Sequence, residues 1–410
     1  MSGAVGALTG PVAYVTGEYP KVSHTFIQRE IVGLRALGVK VLTCTVRRPA
    51  VKAVVGPEQQ AEAAQTFAIL ATARNPLTLL AAHGRMLRRD AVRWFAALRL
   101  AWATRPPGLK AFLWQMAYFL EAGVLADHLL GQGVVHMHNH FGDSSGSLTM
   151  IASEMSGIPF SITLHGPTIF FETHWWRLDA KVARAAFIAC ISHFCRSQAM
   201  LFSDQAHWHK LRIVHCGVTP DRYGTAARPP ASGHVCFVGR LDAVKGVPLL
   251  LEAFAANRPR HPDARLTIAG DGPARAMLEA QAQGLGLTGA VRFTGYLDEA
   301  AVAALLETSD MLVLPSFAEG LPVVLMEALA SLIPVIATQV AGVSELVQDG
   351  VSGFIVPPGD VETLALRLDR LLSDPALCAA MGAAGRARVE AEFDIRTEVK
   401  KLAALFAGKA

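Results

Sequence analysis

The chain is poor in paired cysteine. Its six cysteines (Cys44, Cys190, Cys195, Cys216, Cys236 and Cys378) are scattered over 410 residues with no Cys-x-x-Cys pair. That spacing argues against a disulfide framework or a cysteine zinc site, and fits reduced thiols in a cytoplasmic compartment. No uninterrupted apolar run reaches the length of a membrane span, and residues 1–17 lack a basic n-region. The chain is therefore expected to be neither integral nor exported, with Val12–Thr16 a first strand rather than part of a signal peptide. Aromatic residues make up 7% of the sequence and charged residues 18%, against 52% apolar. This is the balance of a globular protein with large buried sheets. Aromatic and basic residues do not interleave in a nucleic-acid-binding pattern, so no nucleic-acid partner is expected.

What charge there is lies unevenly. Residues 1–205 carry 19 Lys+Arg against 12 Asp+Glu, a surplus of +7, while residues 206–410 carry 19 against 22, or −3. The first half is expected to meet an anionic partner such as lipid headgroups or a phosphorylated acceptor. The length suits two domains of about 200 residues. A proline- and glycine-rich stretch over 216–233 is the expected linker. The expected division is a first domain over 1–216, joined by a C-terminal helix at about 395–410, and a second domain over 217–394.

Strand, loop and helix alternate along both halves, as in Rossmann-like units. The first loop, Gly17 to His24, carries no Gly-x-Gly-x-x-Gly fingerprint. Ser23 and Thr25 either cap the following helix or belong to a cleft-facing loop beyond the strand end. Between Arg74 and Lys110 stand eight basic residues and one acid, Asp90. Arg85, Arg88, Arg89 and Arg93 alternate there with Trp94, Phe95 and Trp102, the pattern of a basic helix that lies in a membrane interface or of a surface helix over the core. His136, His138 and His140 are spaced by two and share one face of a strand. No carboxylate or cysteine stands near them in sequence, so they are expected to be structural rather than metal ligands. His165-Gly166 ends another strand.

In the second half, Val235 to Gly239 forms a strand, and Arg240 and Lys245 straddle the loop that follows. Two cations at a strand end are placed to neutralise a diphosphate. The strand Leu266–Ala269 has a glycine-rich exit containing Gly272. The strand Met311–Leu314 leads into Ser316-Phe-Ala-Glu-Gly-Leu-Pro-Val-Val-Leu-Met-Glu-Ala328, where a helix is expected to begin near Pro322. Glu319 then sits in the loop and Glu327 on the helix. The N–H groups of Gly320 and Leu321 are left to meet a ligand that has hydroxyls at two places and phosphate between.

Glu319-Gly-Leu-Pro-Val-Val-Leu-Met-Glu-Ala-Leu-Ala330 resembles the signature of the retaining glycosyltransferase family four, whose fold is GT-B. Gly239-Arg-Leu-Asp-Ala-Val-Lys-Gly246 resembles that family's Gly-Arg-Leu-x-x-x-Lys-Gly motif. The run Tyr19 to Glu30 looks like the first loop of its exopolysaccharide enzymes, and Gly217-Val218 resembles its interdomain turn.

The resemblance spans nearly the whole chain. It implies two Rossmann-like domains facing across a cleft, and transfer of a sugar from a nucleotide-diphosphate sugar to a hydroxyl with retention. No metal or resident cofactor is implied, because the phosphate itself is the expected base. Arg240 and Lys245 would steady the leaving diphosphate, and Glu327 would take the ribose. Glu319, beside the backbone of Gly320, Leu321 and Pro322, would take the sugar hydroxyls. His165 would touch the donor sugar and Gly272 would line its site. Gly17, Ser23, His24 and His140 are acceptor-side candidates. The implied acceptor is a saccharide or polyprenyl-linked intermediate of exopolysaccharide or lipopolysaccharide assembly, of the colanic-acid type, handled at the inner face of the membrane. A sugar-nucleotide epimerase and a catalytically silent nucleotide-sugar binder are the competing readings.

Overall fold

The computed structural model describes residues 8–21, 24–50, 53–224 and 231–409. The chain divides into two compact units, Met1–His215 with Glu398–Ala410, and Cys216–Thr397. The first holds seven strands: β1 (Val12–Glu18), β2 (Val41–Arg47), β3 (Phe67–Ala68), β4 (His136–His140), β5 (Phe160–Leu164), β6 (Phe187–Cys190) and β7 (Leu211–Ile213). They form one parallel sheet in the order β3-β2-β1-β4-β5-β6-β7. The second unit holds β8 (His234–Val238), β9 (Arg265–Ala269), β10 (Val291–Gly295), β11 (Met311–Leu314), β12 (Val335–Thr338) and β13 (Gly353–Val356). These too are parallel, in the order β10-β9-β8-β11-β12-β13.

Both orders reverse direction beside the first strand of the unit, between β1 and β4 and between β8 and β11. Such a switch point opens a crevice beyond the strand C-termini, which is where ligands of doubly wound sheets sit. Helices on both faces bury the strands, so apolar strands such as β11, Met-Leu-Val-Leu, are buried at every residue. The exception in composition is β4. It reads His-Met-His-Asn-His and is nevertheless buried throughout, so its polar groups must be satisfied inside the protein.

Short local signals set the helix boundaries. Asn75 accepts from the N–H groups of Leu77 and Thr78 and starts the helix Pro76–Arg89. Asp143 caps Ser144–Ser156, which ends at Gly157 in a left-handed conformation. The basic stretch is two helices rather than one. Asp90 accepts from the Arg93 N–H and opens Ala91–Ala103 as a second helix.

Candidate functional site

In the second unit, three loops at the C-terminal ends of β8, β9 and β11 are tied together by backbone hydrogen bonds. The Leu241 N–H donates to Asp271 O, the Ala274 N–H to Leu241 O and the Phe317 N–H to Val244 O, at 2.9, 3.0 and 2.8 Å. Two glycines make this approach possible. A Cβ on Gly272 would stand 2.3 Å from Leu241 O, and one on Gly246, at φ +63°, would stand 2.1 Å from Pro315 O. Larger side chains would push the loops apart.

On this frame the Lys245 ammonium donates to Glu319 Oε1 at 2.7 Å, and the Ser316 hydroxyl donates to the same oxygen at 2.6 Å. Glu319 is buried, while Lys245 is partly open to solvent. Among the described residues, neither the Gly320 nor the Leu321 N–H has a protein acceptor. Leu321 and Pro322 are buried, and the helix Val323–Ala330 follows. Pro322 is the capping residue, with extended backbone (ψ 117°), rather than the first helical residue. Its carbonyl accepts from the Leu325 N–H in the opening turn, so the helix starts one residue later than its proline suggested. Glu327 lies buried on this helix, where Oε1 accepts from the Tyr223 hydroxyl at 3.2 Å. Lys245, Glu319, Gly320, Leu321 and Gly272 thus stand on adjoining loops, with Glu327 on the helix behind them. Arg240 does not join the Lys245–Glu319 pair. Its exposed side chain forms an ion pair with Asp242.

The first unit gathers a different set. The Tyr14 hydroxyl donates to Glu30 Oε1 at 2.6 Å, and His140 Nε2 stands 3.2 Å from the same oxygen. His140 Nδ1 lies 2.8 Å from His165 Nε2. His138 holds the hydroxyls of Ser161 and Thr163, each at 2.8 Å. Burial, with the neighbouring imidazoles, holds His138 and His165 well below the ordinary histidine range, and burial alone brings His136 down to about 4. His140 is wholly buried, which leaves it no surface for an acceptor. It stands behind His165 instead.

The sequence offered no carboxylate to this cluster because Glu30 is more than a hundred residues from β4. It arrives on the helix Thr25–Ala36, and Glu30, His138 and His140 form a compact buried trio with metal-ligand spacing.

Gly17, Glu18, His24, Tyr118, Glu121 and Asp143 line a cavity of about 350 Å³ in the same unit. His24 Nδ1 is 3.1 Å from Glu18 O. Burial raises the Glu121 carboxyl to about 7. Glu121 and Asp143 were not singled out from the sequence, where each is an unremarked acid near a helix. Ser23 lies outside the described residues.

Residues 227–388, within the second unit, match the family model of Glycosyl transferases group 1. That match covers about two fifths of the chain. Its relatives include an alpha-D-kanosaminyltransferase of Streptomyces kanamyceticus, 29% identical over 300 residues, which span 66% of this chain and 76% of that one. The glycogen synthase of Mycobacterium tuberculosis is 35% identical over 190 residues, 46% of either chain. The amylovoran biosynthesis glycosyltransferase AmsK of Erwinia amylovora is 30% identical over 202 residues, 47% of this chain and 50% of the other. The match thus spans about half the length of the latter two. Among solved structures, the sucrose-phosphate synthase of Thermosynechococcus elongatus superposes with a TM-score of 0.76 at 20% identity, over 97% of this chain and 98% of that one. The Anabaena protein HepE, solved with UDP and glucose, gives 0.72 at 18% identity, over 97% and 100%. At these identities the likeness is one of fold: the architecture is GT-B.

Proposed function

We propose that the chain is a retaining glycosyltransferase that moves a sugar from a nucleotide-diphosphate sugar to a hydroxyl acceptor. The observation that carries this reading is the Lys245–Glu319–Ser316 constellation, set beside two N–H groups without protein acceptors at a helix start. A diphosphate takes the Gly320 and Leu321 N–H groups, and Lys245 moves from Glu319 toward it. Arg240 leaves Asp242 to complete the clamp, which is worth most as negative charge grows on the leaving group. Glu319, released from Lys245, accepts from the sugar hydroxyls. Glu327 holds the ribose and His165 the donor sugar. The leaving phosphate receives the acceptor proton, so the scheme calls for no metal.

The HepE structure with UDP and glucose makes UDP the first nucleotide to try. The acceptor belongs in the first-unit cavity, where carboxylates and Tyr118 offer the hydrogen-bonding and stacking groups that saccharides use. AmsK's role in amylovoran synthesis favours an exopolysaccharide or lipopolysaccharide intermediate, lipid-linked and met at the inner membrane face. Exposed apolar side chains between residues 77 and 120, among them Leu77, Phe95, Trp102 and Trp114, favour contact with that surface. No helix among the described residues is long and apolar enough to cross it.

Thermal unfolding with UDP, GDP, ADP and TDP tests the donor assignment. One nucleotide is expected to stabilise the protein, by about 2.7 kcal/mol at a hundredfold excess over its dissociation constant. The gain should be lost in Glu327→Ala. No stabilisation by any of the four overturns the assignment.

A further inference from the structure

The cavity of the first unit lies at the C-terminal ends of the strands that flank the reversal in strand order. Gly17 and Glu18 end β1, Arg47 ends β2 and Asp143 follows β4, and all four line it. A further wall is the helix Leu109–Gly131, which brings in Tyr118 and Glu121, three residues apart and so on one face. At about 350 Å³ the cavity has room for roughly a dozen waters, the scale of one sugar ring.

Most polar groups here are already committed. Lys21 Nζ donates to Glu18 Oε2 at 2.8 Å. Asp143 Oδ1 accepts from the N–H and the hydroxyl of Ser145, at 3.0 and 2.9 Å. His24 meets the Glu18 carbonyl, and burial brings its ring down to about 4, so it is uncharged near neutral pH. Tyr118 shares a hydrogen bond with Ser144. Glu121 is the exception. It is 8% exposed, and its fully buried Oε2 has no hydrogen-bond partner among the described residues. A buried carboxyl without a partner is costly, and one that lines a cavity is completed from that cavity.

The chemistry of this carboxyl selects what completes it. Burial raises it to about 7, with Arg47 pulling the other way, so both of its forms are present near neutral pH. A hydroxyl serves both, since it donates to a carboxylate and accepts from a carboxylic acid. An ammonium serves only the charged form, and an anion only the neutral one. With Glu121 protonated the lining carries no net charge, because Glu18 and Asp143 balance Lys21 and Arg47. A cation site is the other use for such acids. Among the described residues, however, Glu18, Glu121 and Asp143 do not bring three ligand atoms within reach of one ion.

We infer that Glu121 is a specificity-determining residue of the first unit, its carboxyl pairing with a hydroxyl of an uncharged saccharide seated in this cavity. This rests on the reading of the cavity as the acceptor site. Tyr118 adds an aromatic group to the same wall, of the kind on which sugar rings pack.

Titration of the full chain with methyl glycosides of glucose, galactose, mannose, rhamnose and N-acetylglucosamine tests this. The protein is labelled with ¹³C at its glutamate carboxyl carbons, and Glu121→Gln assigns the Glu121 signal. At least one glycoside is expected to bind and to move that signal. Glu121→Leu should weaken its binding at least about tenfold, as expected for a lost hydrogen bond to a buried carboxyl. Glu121→Gln, whose amide both donates and accepts, should recover part of the loss. Glucuronate and glucosamine should each bind at least about tenfold more weakly than the best glycoside at about pH 7. The unfolding midpoint of Glu121→Leu should not fall, since the oxygen it removes has no protein partner to lose.

A glycoside that binds without moving the Glu121 signal overturns the inference alone, as does binding that survives Glu121→Leu. Tighter binding of glucuronate or glucosamine overturns it too. Binding of none of the sugars overturns both the inference and the acceptor reading of the cavity. If Glu121→Leu does not fold, the Glu121 signal of the wild type still decides. No nucleotide is present in these measurements, so they stand apart from the donor assignment.

Discussion

The two units carry their polar chemistry in opposite ways. The second unit keeps charges on loops beyond the strand ends, where Lys245 is partly open and Arg240 largely so. These groups are paired with Glu319 and Asp242, and both pairs are of a kind that an incoming anion can exchange. The first unit keeps imidazoles inside the sheet, where His138 and His140 have no exposure at all. Charged loops respond to a ligand, whereas buried imidazoles respond to protons. Perturbations of ligand and of pH should therefore separate the two units.

Acid should give the largest effect, and in the first unit. The folded-state pKa of His136 is about 4 against an ordinary 6.5. Between those values the unfolded chain binds a proton that the folded chain refuses, so stability is present above about pH 6.5 and is lost as pH falls toward 4. His136 alone accounts for about 3 kcal/mol of that loss, and His138 and His165 shift in the same direction. In the second unit, burial lowers His234 as well, but without the neighbouring imidazoles that add to the shifts of His138 and His165. Peptide-resolved hydrogen exchange between about pH 7 and about pH 4.5, corrected for intrinsic rates, should show β4 and β5 losing protection before β8 and β11. The reverse order would break the contrast.

The second unit should instead be sensitive in turnover. Lys245→Ala is expected to lower donor consumption by roughly 10²–10³-fold. Its unfolding midpoint should move little, because the ion pair it breaks with Glu319 is only partly buried. Glu319→Gln should act in the same direction, as the neutral amide pairs less tightly with Lys245 and accepts less strongly from a sugar hydroxyl. A Lys245→Ala protein with more than about a tenth of wild-type turnover would remove the lysine from the transition state.

The difference between the units also explains what the sequence disclosed. In the second unit, strand, glycine turn, cation and carboxylate follow one another within short stretches, so Lys245, Glu319 and Glu327 were legible from local order. Arg240 was legible as a cation but not as Asp242's partner, because side-chain rotamers on an open loop are not encoded in spacing. In the first unit the alternation of strands was readable, yet β3 and β7, at two and three residues, are too short to carry a period. The histidine face of β4 was visible. Its completion by Glu30 and Tyr14 depends on the β1–β4 pairing, which brings together residues more than a hundred positions apart. Glu121 was hidden for the same reason: it is one acid in a long helix, and only burial raises its carboxyl.

The smallest effect concerns the outer face of the first unit, and here the structure sharpens the choice of arginine. Arg85 is held by Asp127 in a two-point ion pair at 2.8 and 2.6 Å, and Arg93 stands 3.5 Å from Asp90. Arg88 and Arg89 end the helix Pro76–Arg89, exposed and close in sequence to Leu87, Val92 and Phe95, which are exposed as well. On vesicles containing phosphatidylglycerol, Arg88→Ser and Arg89→Ser should each weaken binding by about 1 kcal/mol, roughly fivefold. Arg85→Ser should change it little, since Asp127 already neutralises that charge. Added salt should erase the difference between the variants, because headgroup attraction at an exposed face is screened within a Debye length of about 10 Å at 0.1 M. Equal losses from all three arginines would mean that net charge, rather than this face, draws the protein to the surface. No loss from Arg88→Ser and Arg89→Ser would leave the exposed tryptophans and leucines without a lipid partner.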